Sequence, residues 1–283
     1  MISGMTQGRV KVNGAELYYE LRGAGPALLM IHGTGADAGC YEEVAARMAA
    51  SFRVLTYDRR GWSRSARPAG WTRTSIEEQA DDAAWLLRAT GLAPALLFGG
   101  SSGGLIALEM LLHHGEVVRG AALHEPSIFT HLPADFVAAQ FAELTPLIEQ
   151  AVASGGPRAG QEMLLSAFAG SDGLAAAAND ELRSRWLANA EFMFGYEFPS
   201  MLLAYRPDPA AVAALTVPVR VMRAAESQPI NAAATQWLAS QLKTPVVVAP
   251  GSHIAYCTRP QEFATSLSAI LDEVIAVSGG SAG

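Results

Sequence analysis

The chain is poor in cysteine. Cys40 and Cys257 are the only two among 283 residues, and their separation matches no metal-binding or redox spacing. That argues against a disulfide-stapled fold or a zinc site. Both are expected to be small buried residues in a protein of a reducing, cytoplasmic compartment. Charge is scarce as well. Charged residues make up 17% of the chain against 50% apolar, so a large buried core is expected rather than disorder. The net charge is −7 and the basic residues, mostly arginine, are scattered, which argues against nucleic acid as a partner. No apolar run is long enough to span a bilayer, and Met1-Ile2-Ser3-Gly4-Met5 leads into no signal-peptide core, so no membrane role is expected.

What stands out is one heptapeptide, Phe98-Gly99-Gly100-Ser101-Ser102-Gly103-Gly104. An apolar run from Pro94 to Phe98 leads into it, and a helical pattern from Leu105 to His114 leads out. A serine between glycines at a strand-to-helix turn has the form of a nucleophile elbow, G-x-S-x-G. Glycine is needed where the backbone passes close to its neighbours. Two frames fit, one centred on Ser101 and one on Ser102. The first begins where the strand ends and favours Ser101. Taken alone, the heptapeptide also fits a glycine–serine loop without chemistry, the less favoured reading.

The surroundings supply context. Arg9 to Arg22 reads as a hairpin about Asn13-Gly14. Buried strands follow at Ala27–Ile31, Phe52–Tyr57, Pro94–Phe98 and Val118–Leu123, with helices at Tyr41–Ala50, Thr74–Arg88 and after the elbow. This alternation predicts an α/β fold, a mostly parallel sheet flanked by helices. The rhythm then stops. From Ser127 to Ala214 the chain is alanine-rich and helical in pattern, predicting a helical cap inserted after the sixth strand. It resumes with strands at Pro218–Met222 and Pro245–Ala249, each followed by a helix, the last from Pro260 to Ile275. The expected division is a core of residues 1–126 and 215–276, a cap of residues 127–214, and a disordered tail, 277–283. Phe129, Trp186, Met193 and Tyr196 of the cap, with Ile254 beside the last strand, are candidate substrate contacts.

In such sheets, ligands bind beyond the carboxyl ends of the strands. A serine there needs a base, and histidine is the usual one. His253, in Pro250-Gly251-Ser252-His253 after the last strand, is the candidate; His124 competes but adjoins the acid candidate. The histidine needs a carboxylate. Glu125, after the sixth strand, is preferred over Glu226, which follows the seventh. Backbone N–H groups must meet the oxyanion. Ser102 should give one, and Gly33 or Thr34 the other. No metal or organic cofactor is called for.

These pieces resemble the α/β-hydrolase fold superfamily along nearly the whole chain: His32-Gly33-Thr34-Gly35, the turn Asp58 to Ser65, the elbow, and Pro250 to His253. Most members carry an aspartate where Ser227 stands here. The zearalenone-type lactonases are similar to this chain in placing a glutamate one sheet strand earlier, as in His124-Glu125, and in the run from Pro250 to Tyr256. The resemblance implies a serine hydrolase that cleaves a small-molecule carboxylic ester or lactone through an acyl-enzyme, with a bulky apolar natural product among the substrates it suggests. The alternatives are a cofactor-free peroxidase or thioesterase on the same triad, and a non-catalytic ligand receptor on this scaffold. A dinucleotide-binding reading of Gly33-x-Gly35-x-x-x-Gly39 rests on a loose glycine pattern whose acidic partner would be Asp58, inside an arginine-rich turn. A homodimer is compatible with the sequence.

Overall fold

In the computed structural model, which describes residues 4–280, the chain builds one eight-stranded sheet. β1 (Thr6–Val12) and β2 (Ala15–Arg22) form the hairpin, with Asn13 (φ 47°) and Gly14 (φ 79°) both left-handed, as a tight two-residue hairpin turn requires. β3 (Ala27–Ile31), β4 (Arg53–Tyr57), β5 (Ala95–Gly100), β6 (Val118–His124), β7 (Val219–Ala224) and β8 (Val246–Ala249) complete it. The spatial order is β1-β2-β4-β3-β5-β6-β7-β8. β2 runs antiparallel to β1 and β4, and all remaining pairs are parallel.

The central strands read as unbroken apolar runs because helices cover both faces. Alternate residues of β3 enter opposite layers. Leu29 and Ile31 pack with α2 (Ile76–Ala89), α3 (Ser102–His113) and the later helix Pro229–Leu242, whereas Leu28 and Met30 pack with α1 (Glu42–Met48) and the C-terminal helix. Ser75 caps α2, its hydroxyl accepting from Glu78 N–H at 3.2 Å.

Every described element between β6 and β7 is helical: α4 (Ala134–Phe141), α5 (Leu144–Ala169), α6 (Leu174–Ala177), α7 (Asp180–Leu187), α8 (Ala190–Phe192), a π-helix (Met193–Leu202) and α9 (Pro209–Ala213), with single 3₁₀ turns at Phe129–His131 and Gly170–Asp172. α5 is broken at Gly156 (φ 76°, ψ −177°), ahead of Pro157. After β7 come α10 (Pro229–Leu242), α11 (Ala255–Thr258) and α12 (Pro260–Gly280).

The cap is tied to the core by polar contacts. Arg185 of α7 holds the buried Asp37 with bonds of 2.6 and 3.1 Å, and Trp186 Nε1 donates to the same carboxylate at 3.2 Å. Asn189 bonds both the backbone N–H and the hydroxyl of Ser63.

Several boundaries differ from expectation. β5 continues through Gly100, and α3 starts at Ser102 rather than Leu105, because strand and helix abut at the elbow with one residue between them. α10 starts at Pro229 rather than at the Ala232 that the sequence pattern predicts, the fixed φ of proline suiting the first helical turn. α12 runs to Gly280, so residues 277–280 of the expected tail are helical, and 281–283 lie outside the described residues. The two cysteines, distant in sequence, meet in space: the Cys257 thiol donates to Cys40 O at 3.4 Å.

Candidate active site

Ser101 is the single residue between β5 and α3, held at φ 56°, ψ −125°, where residues with a side chain are strained. Its N–H donates to His124 O at 2.9 Å, fixing the turn to β6. The flanking glycines decide the frame. A Cβ on Gly99 would lie 2.3 Å from Gly103 O, and one on Gly103 only 2.1 Å from Ile31 O. Both clashes are with backbone, so the frame about Ser101 is the one that sterics require. Ser101 Oγ faces a cavity and lies 3.1 Å from Ser127 Oγ. Ser102 is fully buried, its hydroxyl turned instead to Thr34 Oγ1 at 2.9 Å.

His253 follows β8 and lines the same cavity. Its Nδ1 lies 2.7 Å from Glu125 Oε2, so Nδ1–H donates to the carboxylate and Nε2 is left with a lone pair. Ala224 N–H donates to the other carboxylate oxygen at 3.0 Å. Glu125 is itself left-handed (φ 43°), and its N–H bonds Met222 O at 2.9 Å. Burial pushes the Glu125 pKa up. The hydrogen bond from His253, the fields of His253 and His124, and the Ser227 hydroxyl outweigh burial and hold it down at about 2. Glu226 points elsewhere, to Ser171 Oγ at 2.7 Å and Arg259 Nη2 at 3.1 Å.

The other histidines have separate employment. His124, driven by burial to a pKa of about 4, is neutral, and its Nε2–H donates to His253 O at 3.1 Å. His113 sits beside Glu109, His114 beside Asp81, and His131 stacks on Trp237.

The loop after β3 is set by His32. Its Nδ1–H donates to Gly33 O at 2.8 Å, and its Nε2 accepts Arg59 N–H at 3.0 Å. Burial, with the Arg59 charge, lowers its pKa to about 3, so it stays neutral. Arg59 Nη2 also reaches Gly33 O, at 3.4 Å. In a trans peptide the N–H points opposite to the C=O, so the Thr34 N–H faces away from these groups. Thr34 lines the cavity with Ser101. Ser102, as the first residue of α3, has an N–H with no carbonyl to meet inside the helix, at its electropositive end.

The cavity at Ser101 has a volume of about 70 Å³, and Phe129, Phe168 and Asn231 join its walls. The Phe168 ring of α5 lies 5.0 Å from the His253 ring, roofing it. Phe141, Leu144, Leu164 and Phe198 are shared with a larger apolar pocket of about 490 Å³ between α4, α5 and the π-helix.

Of the expected substrate contacts, Phe129 lines the cavity and four do not. Trp186 is buried against Asp37, and Ile254 is buried in the layer with α1 and α12. Met193 packs in a separate cap cluster near Gly35, and Tyr196 stacks on Phe192 and Trp71. Large side chains on short helices carry no signal for which face meets the ligand.

Four residues at the site were not singled out from sequence: Ser127, Asn231, Arg59 and Glu197. Glu197 had a usable signal, being the one charge in the apolar stretch Phe192–Leu203. Among the described residues no group of three or more His, Cys, Asp or Glu side chains is placed to hold a metal ion, and no helix is long and apolar enough to cross a membrane.

Known proteins share this fold. The family model for the alpha/beta hydrolase fold matches residues 26–260. An uncharacterized hydrolase of Bacillus subtilis, YraK, is 31% identical over 95% of this chain and 97% of its own length. The zearalenone hydrolase of Bionectria ochroleuca is 31% identical, but over 40% of this chain and 44% of its own. Among solved structures, a membrane phospholipase A described as a bacterial virulence factor superposes with a TM-score of 0.78 at 23% identity, covering 96% of this chain and 87% of that one. The chain belongs to the α/β-hydrolase fold family.

Proposed function

We propose that the protein is a serine hydrolase that cleaves a carboxylic ester or lactone through an acyl-enzyme. The observation that carries this reading is the 2.7 Å bond from His253 to the buried Glu125, on the cavity that Ser101 also lines. Glu125 fixes the Nδ1–H tautomer and stabilises the imidazolium. Ser101 Oγ turns from Ser127 toward Nε2, gives up its proton there and attacks the carbonyl carbon. The negative charge that forms on the carbonyl oxygen meets the N–H groups of Ser102 and of the Gly33–Thr34 loop. Collapse breaks the acyl–oxygen bond, and His253 returns the proton to the leaving alkoxide. A water then gives its proton to Nε2, attacks the acyl carbon and regenerates Ser101. In a lactone the freed alcohol stays tethered to the acyl group throughout, and this last step releases a single hydroxy acid.

The substrate class is supported by the walls. The cavity mixes aromatic and aliphatic walls with polar groups at Gln140, Gln228 and Asn231, and the adjoining, mostly apolar pocket of about 490 Å³ is of the size that holds a drug-sized body. An ester or lactone with one bulky uncharged side suits it. The test is a panel of esters and lactones, short and bulky, assayed with the native protein and Ser101→Ala. Turnover that disappears with Ser101 is expected; turnover that survives the substitution overturns the reading.

A further inference from the structure

Glu197 is fully buried on the cap's π-helix, and both its carboxylate oxygens are engaged. Oε1 accepts from Arg59 Nη2 at 2.9 Å and from Thr34 Oγ1 at 2.5 Å, and Oε2 accepts from Trp62 Nε1 at 2.7 Å. A buried charge is costly unless paired in this way, so the arrangement is held at some expense in solvation.

The polarity of the chain of bonds follows from the acceptor-only carboxylate. Thr34 Oγ1–H must donate to Glu197. The remaining contact of Thr34 Oγ1, 2.9 Å to Ser102 Oγ, then runs from Ser102 to Thr34. The order is Ser102 hydroxyl to Thr34 hydroxyl to Glu197. Thr34 and Ser102 lie 68 residues apart, and they belong to the two segments, the Gly33–Thr34 loop and the start of α3, whose backbone N–H groups are assigned above to the oxyanion. The same carboxylate holds Arg59, which reaches Gly33 O and whose backbone N–H bonds His32. The routes through Thr34 and Arg59 therefore end at the oxyanion pocket, while the bond from Trp62 anchors the other carboxylate oxygen in the cap cluster. π-Helical geometry is rare and concentrates at functional sites. The Arg59 charge offsets that of Glu197, so the pair orders the pocket without adding net negative charge where an oxyanion forms.

We propose that Glu197 is a positioning residue: from the cap, through the Thr34 and Ser102 hydroxyls, it holds the two oxyanion donors at their working separation. The inference rests on the hydrolase reading above. It makes the oxyanion pocket complete only when the cap is seated, so that a carboxylate outside the catalytic core controls turnover.

The test compares Thr34→Val, which keeps the shape and removes the relay, with Thr34→Ser, which keeps the hydroxyl, and with Glu197→Gln. Two readouts are taken: kcat and KM on a short chromogenic ester, and the second-order rate of inactivation by a fluorophosphonate, whose phosphoryl oxygen needs the same donors. Thr34→Val is expected to lower kcat by about 10- to 100-fold, below the roughly 100- to 1,000-fold that loss of a donor brings, with KM within about two-fold. Phosphonate inactivation should slow by the same factor. Thr34→Ser should recover most of the loss. Glu197→Gln should resemble Thr34→Val where its thermal midpoint shows it folded; the threonine pair decides the matter if it is not. An unchanged kcat in Thr34→Val, a Thr34→Ser as impaired as Thr34→Val, or a change confined to KM overturns the proposal. A native protein inert to both ester and phosphonate instead overturns the hydrolase reading, and this proposal with it.

Discussion

The core and the cap reach the same cavity by different means. Core residues arrive at the ends of parallel strands, and two of them, Ser101 (φ 56°) and Glu125 (φ 43°), sit in strained conformations fixed by backbone bonds to neighbouring strands. Cap residues arrive on helices, and most touch the cavity with apolar side chains such as Phe141, Leu144 and Phe168. Strain concentrated in the core marks where geometry must be exact to a fraction of an ångström. Apolar walls in the cap tolerate change because hydrophobic contact is non-directional. Glu197 crosses that division, being a cap residue whose bonds are as specific as those of the core.

The contrast breaks most sharply at the acid. Glu125→Gln should lower kcat by roughly 10³- to 10⁴-fold, as loss of a triad carboxylate does, while Glu226→Gln, bound to Ser171 and Arg259, should stay within about two-fold. Steady-state kinetics on one good ester checks both, and the reverse ranking would move the acid to β7.

Next in size is a stability effect. Glu125 is held at about pKa 2, below its ordinary 4.5. A depressed carboxylate contributes stability that is fully present above about pH 4.5 and is lost as pH falls toward 2. The shift corresponds to something on the order of 3 kcal/mol. Urea unfolding at pH 6 and pH 3 should show a steeper loss for the native chain than for Glu125→Gln.

Glycine substitutions sharpen the comparison further. A Cβ at Gly103 meets the backbone of β3, whereas one at Gly195 in the cap meets nothing within 4 Å. Gly103→Ala should cost about 1–3 kcal/mol or more. Gly195→Ala should be neutral or stabilising by up to about 1 kcal/mol. Thermal unfolding of the two reads this directly.

The smallest effect is one of selectivity. Ile148 and Val152 line the larger apolar pocket and not the cavity at Ser101. Val152→Trp should lower kcat/KM for bulky or long-chain esters by about ten-fold, in line with the modest worth of single apolar contacts, and leave acetate esters unchanged. An equal loss on all chain lengths would mean that the pocket is not used by substrate.

Legibility followed the same division. Strands buried on both faces announce themselves as apolar runs, so β3, β5 and β6 were readable within one or two residues. Asn13-Gly14 and the elbow glycines were readable because only particular residues fit those turns. The candidate site residues Ser101, Glu125 and His253 stood in the sequence at strand ends that the sheet brings together. The cap offered no such grammar. Met193 and Tyr196 fit an aromatic and methionine stripe equally well whether they face ligand or core, and packing against Trp62, Trp71 and Phe192 decided for core. Glu197 was hidden because its partners, Thr34, Arg59 and Trp62, lie 135 to 163 residues away. The contact between Cys40 and Cys257 escaped for the same reason.

The central claim is that Ser101 is a nucleophile activated by His253. Treatment with a fluorophosphonate, followed by mass mapping of the peptides, tests it most directly in the native chain and in His253→Ala. The account predicts one adduct, on Ser101 in the native protein, formed far more slowly without the histidine. An adduct on Ser102, equal labelling in the two proteins, or no adduct at all would contradict it.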